Sequence, residues 1–243
     1  MTATGPASEF GLSDLPGLLR AAEGWAGLRA ALAAGKSGTV DGAWGSAAAA
    51  AIAALAADFP VLAVVPGVAD LDGWAEDLAG FTGARPALFP AHETWPPQTV
   101  RGRISDETAA RLRLLQHLLA ADPPRLILAP MAAVVQPVPS RDDLAQSGRR
   151  LSVGDSLDVD EFARWLVENG YKRVEAVEFP GEFGRRGGIC DLYPPDATDP
   201  VRLEFFGDEV ESIRTFSAQT QRSLETRREI VVLESVWGMG DRV

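Results

Sequence analysis

The chain is short of cysteine, of positive charge and of long apolar runs, and each shortage closes off a class of function. One cysteine, Cys190, in 243 residues leaves no internal disulfide and no thiol pair for a Cys-based metal site, which fits a reducing compartment. Lys and Arg number 23 against 34 Asp and Glu, a formal net charge of −11. That balance argues against broad attraction to a phosphate backbone, the main source of non-specific nucleic-acid affinity. No apolar run approaches the roughly 20 residues of a membrane span, and the opening MTATGPASEF has neither the basic segment nor the apolar core of a signal peptide. A soluble, cytoplasmic protein without a metal or cofactor is expected.

A working phosphate loop is also missing. Gly35-Lys36-Ser37 ends like one, but the glycine needed five positions before Gly35 is Ala30. The context differs too. A phosphate loop leaves a strand and enters a helix, so that backbone N–H groups meet the phosphates, whereas this tripeptide leaves a predicted helix (12–34, with Ser13 and Asp14 as N-caps) and enters a predicted short strand at 39–40. The ordinary reading is a helix C-cap. DGAWGS (41–46) stands in the right place, before a predicted helix over 47–57, but lacks the lysine that reaches the β/γ-phosphates. It is a turn or a weak anion site.

What is present falls into two halves. VLAVVP (61–66) predicts a fully buried parallel strand, and helices over 71–81 and 106–120 alternate with strands at 86–90 and 125–130. That alternation defines an α/β layer with a parallel sheet. The loop between holds His92, Glu93, Trp95, Arg101 and Arg103. With no nucleophile or second ligand near in sequence, His92 and Glu93 are expected to be loop structure and the arginines a solvated pair. Pro, Ser, Asp and Gly then accumulate over 136–150, the composition of a domain crossing.

Beyond it, a strand at 151–157 precedes a helix capped by Asp158, with Phe162, Trp165 and Leu166 as its buried stripe. Strands are predicted at 174–179, 189–193, 201–206 and 209–216, with Gly207-Asp208 as a hairpin turn. A polar turn over 217–226 leads to a last strand from 229. The fold class is therefore a degenerate P-loop-like parallel α/β domain (1–135), a smaller α+β domain with an antiparallel sheet (136–228), and the start of a segment returning to the first domain (229–243).

The strand VRLEFF (201–206) separates two faces by alternation: Val201, Leu203 and Phe205 on one, Arg202, Glu204 and Phe206 on the other. An arginine, a carboxylate and an exposed ring are the composition of a protein-binding surface. Arg186, counted by strict parity, falls with Cys190 and Leu192, and Gly187-Gly188 is expected to supply a bulge that re-aims it. The ordinary alternatives are Arg202 paired with Glu204 or Glu211, and Phe206 folded over the hairpin turn.

The segments GYKRVEAVEFPGEFGRRGGICDLYPP (170–195) and VRLEFFGDEVESIRTFSAQTQRSLE (201–225) resemble the second domain of the transcription-repair coupling factors, which is similar to the UvrA-binding domain of the excision-repair protein UvrB. DGAWGS, LFPAHETWPP and LILAP resemble the first domain of that family, a UvrB-like module that has lost nucleotide binding. UvrB itself is less similar, since it carries an intact P-loop lysine motif and a Tyr-rich hairpin, while this chain has only Tyr171 and Tyr193. The resemblance implies a non-catalytic module that recruits UvrA in transcription-coupled nucleotide excision repair, through Arg186, Arg202 and Phe206. It also implies RNA polymerase and duplex DNA as partners of full-length members, whose ATP-driven motor domains are not expected within these residues. The rival expectations are a nucleotide hydrolase using Lys36 or the DGAWGS loop, and a damaged-DNA binder using Trp95, Arg101 and Arg103.

Overall fold

The computed structural model describes residues 10–94, 104–146 and 148–235. In chain order the elements are α1 (Leu15–Arg20), α2 (Trp25–Ala33), α3 (Ser46–Ala56), β1 (Val61–Val65), α4 (Leu71–Thr82), β2 (Ala87–Leu88), α5 (Asp106–Leu119), β3 (Leu126–Pro130), α6 (Met131–Val134) and α7 (Arg141–Gln146). They continue with β4 (Gly148–Ser152), α8 (Val159–Glu168), β5 (Lys172–Arg173), β6 (Glu182–Arg186), β7 (Ile189–Leu192), β8 (Val201–Phe206), β9 (Glu209–Phe216), β10 (Ser223–Arg227) and β11 (Glu229–Leu233). Among the described residues no helix is long and apolar enough to cross a membrane. The chain forms two compact units, Met1–Phe89 with Pro124–Val134, and Pro90–Pro123 with Val135–Val243.

The first unit is a three-stranded parallel sheet in the order β1-β3-β2. The alanine-rich α3 lets helix and sheet approach closely, and Ala49, Ala50 and Ala53 pack with Ala63, Val65, Leu128, Leu78 and Phe81 into its core. β1 is not buried on both faces as the run VLAVV predicts: Leu62 and Val64 are 53% and 40% exposed. The helices whose residues join that core, α3 and α4, cover the face carrying Ala63 and Val65, and the alternation of a strand leaves Leu62 and Val64 on the opposite face.

The predicted helix over 12–34 is a single 3-10 turn at Leu12–Asp14 followed by α1 and α2, which part where the chain turns at Gly24, held at φ 85. No strand forms at 39–40, where the two residues are exposed and unpaired in any sheet.

The second unit is built on a six-stranded sheet in the order β10-β9-β8-β7-β6-β5, with a separate pair β11-β4. All neighbours in the large sheet are antiparallel except β5 and β6. Its inner face presents Phe183, Cys190, Leu192, Val201, Leu203, Phe205, Val210 and Ile213, which bury against Phe162 and Leu166 of α8 and against Leu151 and Val232 of the β4-β11 pair. Asp158 starts α8 as expected: its Oδ1 accepts from the N–H of Asp160 at 2.7 Å and of Glu161 at 2.9 Å, satisfying two donors that a helix start leaves unpaired. Those bonds to the ionised form hold the Asp158 carboxyl below its usual value.

Local differences have local causes. Residues 174–179 are irregular rather than a strand. Their path is held by the buried Glu182, whose Oε2 accepts from the N–H groups of Glu178 and Phe179, both at 3.0 Å. The strand predicted at 151–157 is β4, ending at Ser152, because the chain turns there with Asp155 Oδ2 accepting from the Ser152 N–H at 2.7 Å. The polar stretch expected to be a turn contains β10, which pairs with β9 while every one of its residues stays exposed. β11 is secured by β4 and by Tyr171, whose hydroxyl donates to the Leu233 carbonyl at 2.7 Å.

Candidate functional site

Cross-strand register decides which residues share the outer face of the six-stranded sheet. Residues directly opposite in an antiparallel pair project to the same side. One row therefore reads Gly184, Asp191, Arg202, Arg214 and the next Arg186, Ile189, Glu204, Ser212, with Phe206 and Glu209 one row further on. By strand geometry Phe206 stands roughly 13 Å from Arg202 along β8. The three predicted residues occupy one face.

Arg186 reaches it by a route other than the expected bulge. Gly187 and Gly188 form a two-residue turn, with Gly187 at φ 59, so Arg186 pairs directly with Ile189. A loop of two residues makes positions i and i+3 face partners, which inverts the odd–even count carried through the turn. The turn also needs Gly188 to be small, since a Cβ there would lie 2.9 Å from the Phe205 carbonyl oxygen. The exposed Arg186 side chain donates through Nη2 to the carbonyl of Glu175 at 2.6 Å.

Arg202 is held more firmly. Its Nε and Nη2 donate to the two carboxylate oxygens of Asp191 at 2.6 and 2.8 Å, and its guanidinium lies over the Phe216 ring, 4.9 Å from the centroid. The bonds to Asp191 hold it charged, above its ordinary pKa. Neither Glu204 nor Glu211 is the partner. Glu204 instead accepts from the Ser212 hydroxyl at 2.5 Å and pairs with Arg214 at 3.2 Å. Like charges directly opposite in a ladder repel, and here Arg202 faces Arg214, so each guanidinium carries its own carboxylate. Phe206 is 79% exposed while its neighbour Phe205 is 9% exposed. The ring projects into solvent.

Among the described residues, the other sequence candidates lie at helix ends and in a loop. Gly35 at φ 72 closes α2, with Gly35 N–H to Leu32 O and Lys36 N–H to Ala31 O, both 2.9 Å; these are the bonds of a left-handed helix cap. The DGAWGS segment opens α3 with Gly45 at φ 53 and Trp44 exposed, but no strand feeds it. Gln136 brackets His92, accepting from its N–H at 2.9 Å and donating to its carbonyl at 3.0 Å. Nearby the buried Arg111 donates to the Pro90 carbonyl at 2.8 Å. Burial lowers Arg111 to about 10 and, with Arg111 beside it, also lowers His92. Trp95, Arg101 and Arg103 lie outside the described residues.

Burial also shifts two groups of the second unit, Cys190 and Asp196. Burial pushes the Cys190 thiol up to about 12, with Asp191 adding to the effect, so it packs as an inert small hydrophobe. Asp196 is raised to about 6, chiefly by burial, and its shielded Oδ1 accepts no hydrogen bond.

A carboxyl whose pKa is raised on folding binds more protons native than unfolded. Its contribution is therefore fully present below about pH 4 and lost as pH rises to about 6. Asp196→Asn should raise stability by about 1–2 kcal/mol at pH 7.5 and by nothing near pH 4. Thermal melts of both proteins across that range check it, and a gap of constant size would contradict it.

The comparisons with known proteins bear on the same unit. Residues 150–235 match the UvrB interaction domain family. The six-stranded sheet and its outer face lie inside that matched stretch. Over a longer span the chain is homologous to part of the transcription-repair-coupling factors. It is 41% identical over 122 residues to that of Bacillus subtilis, covering 50% of this chain and 10% of the relative. It is 35% identical over 177 residues to that of Mycobacterium tuberculosis, covering 70% and 14%, and 35% identical over 182 residues to that of Myxococcus xanthus, covering 70% and 15%. The chain thus matches a small part of each of these relatives.

Proposed function

We propose that this chain is a non-catalytic module that recruits UvrA in transcription-coupled nucleotide excision repair, and that Arg186, Arg202 and Phe206 form the docking site. The observation that carries the reading is an exposed aromatic ring sharing one sheet face with two arginines, inside a UvrB interaction domain. Phe206 anchors in an apolar slot on UvrA, because an exposed ring removed from water on binding is a typical hot spot. The two guanidinium groups donate charge-assisted hydrogen bonds to carboxylates of the partner. Three groups spread over roughly 13 Å fit well within the 800 Å² or so that each partner contributes to a standard interface. RNA polymerase and duplex DNA belong to the same proposal as partners of the longer relatives.

The test is a pull-down of UvrA by the 243-residue chain. Arg186→Ala should cost about 1–3 kcal/mol of binding with the melting temperature unchanged, since Arg186 is exposed and among the described residues makes one hydrogen bond. Retention of full binding would remove it from the site. Saturable ATP binding abolished by Lys36→Ala, or strongly salt-dependent binding of oligonucleotides, would favour the nucleotide or DNA reading instead.

A further inference from the structure

Arg202 enters any encounter already bound on one side. The Nε/Nη2 pairing with Asp191 is side-on, using the Nε–H and one Nη2 hydrogen of the five donors a guanidinium carries. The opposite edge, made of Nη1 and the second Nη2 hydrogen, makes no hydrogen bond among the described residues. One flat face rests on Phe216, which is fully buried, and Asp191 is fixed directly across the ladder on β7. The side chain has therefore lost most of its rotamer freedom before a partner arrives. An arginine ordered only on binding loses that entropy at the interface, about 0.5–1.5 kcal/mol for a side chain of this length.

Arg186 shows the contrast on the same face. It is exposed, and among the described residues it makes a single hydrogen bond, to a backbone carbonyl.

We propose that Asp191 is a positioning residue for docking: it grips Arg202 side-on so that the end-on edge of the guanidinium receives a carboxylate from the partner. The partner surface this fits carries an acidic side chain that meets Arg202 edge-on, roughly 13 Å from the slot taking Phe206. The inference rests on the docking reading above.

Two opposed roles for Asp191 are separable by sign. If its charge merely masked Arg202, removing it would speed association with an acidic partner and tighten the complex. If it positions Arg202, removing it raises the dissociation rate, and does so only while Arg202 is present.

The experiment is a binding-kinetics cycle of the full chain on immobilised UvrA, with wild type, Asp191→Asn, Arg202→Ala and the double variant, each checked for its melting temperature. Asp191→Asn should dissociate about five- to tenfold faster, a coupling in the range double-mutant cycles find for contacting residues, and the double variant should bind no worse than Arg202→Ala. Asp191→Glu, which keeps the carboxylate one methylene away, should fall between wild type and Asp191→Asn and serves if the amide variant does not fold. Binding by Asp191→Asn as tight as wild type or tighter, or an equal loss in the Arg202→Ala background, overturns the positioning role. Unchanged binding by Arg202→Ala itself would instead overturn the assignment of Arg202 to the docking site.

Discussion

Phe206→Ala should weaken binding to UvrA by about 2 kcal/mol or more, close to thirtyfold, while the melting temperature of the chain stays where it is. The ring is 79% exposed, so its removal opens no cavity and deprives the fold of little. Its neighbour is the control. Phe205 is 9% exposed and packs in the inner core, so Phe205→Ala should cost about 3–5 kcal/mol of stability. Adjacent residues on one strand thus separate binding from folding, because a strand sends successive side chains to opposite faces. Equal binding by Phe206→Ala and wild type in a titration against UvrA would remove the proposed anchor.

Phe183→Ala should destabilise the fold as strongly as Phe205→Ala. Phe183 is fully buried, stands opposite Leu192 in the register and belongs to the cluster shared by α8 and the sheet. Deleting a ring from such a site leaves a cavity and removes transfer free energy, about 3–5 kcal/mol together. Since domains of this size are stable by about 5–15 kcal/mol in all, urea unfolding should show a sharply lower midpoint with an unchanged slope. A midpoint shift worth less than about 1 kcal/mol would mean the core is not packed as described.

How much of this was legible in the sequence depends on which interactions are local. VRLEFF sorted itself into two faces because alternation within one strand needs no knowledge of its neighbours. The Asp158 cap and the turn at Gly207-Asp208 were readable for the same reason, each being a pattern of a few consecutive residues. Strict parity puts Arg186 with Cys190 and Leu192, and the expected re-aiming at Gly187-Gly188 comes from a two-residue turn rather than a bulge, because the loop length that reverses the count is not written in the sequence.

Asp191 was missed altogether. The carboxylates near Arg202 in sequence belong to its own strand and hairpin, whereas the one it meets lies 11 residues away on β7, visible only once the β7–β8 register is known. β10 was hidden because an edge strand with every residue exposed carries no apolar alternation, and 174–179 misled because VEAVEF alternates without pairing in a ladder. The exposure of Leu62 and Val64 was unreadable for another reason, since an apolar run does not say whether both its faces are covered.

The central claim is that the outer face of the antiparallel sheet, and not the glycine-containing segments at 35–37 and 41–46, is the working surface. Calorimetric titration of UvrA with the wild-type chain and with the triple variant Arg186→Ala, Arg202→Ala, Phe206→Ala tests it most directly. The claim predicts saturable binding by wild type and none by the triple variant at the same concentrations, with the second unit still folded in both. Wild-type affinity in the folded triple variant would contradict it.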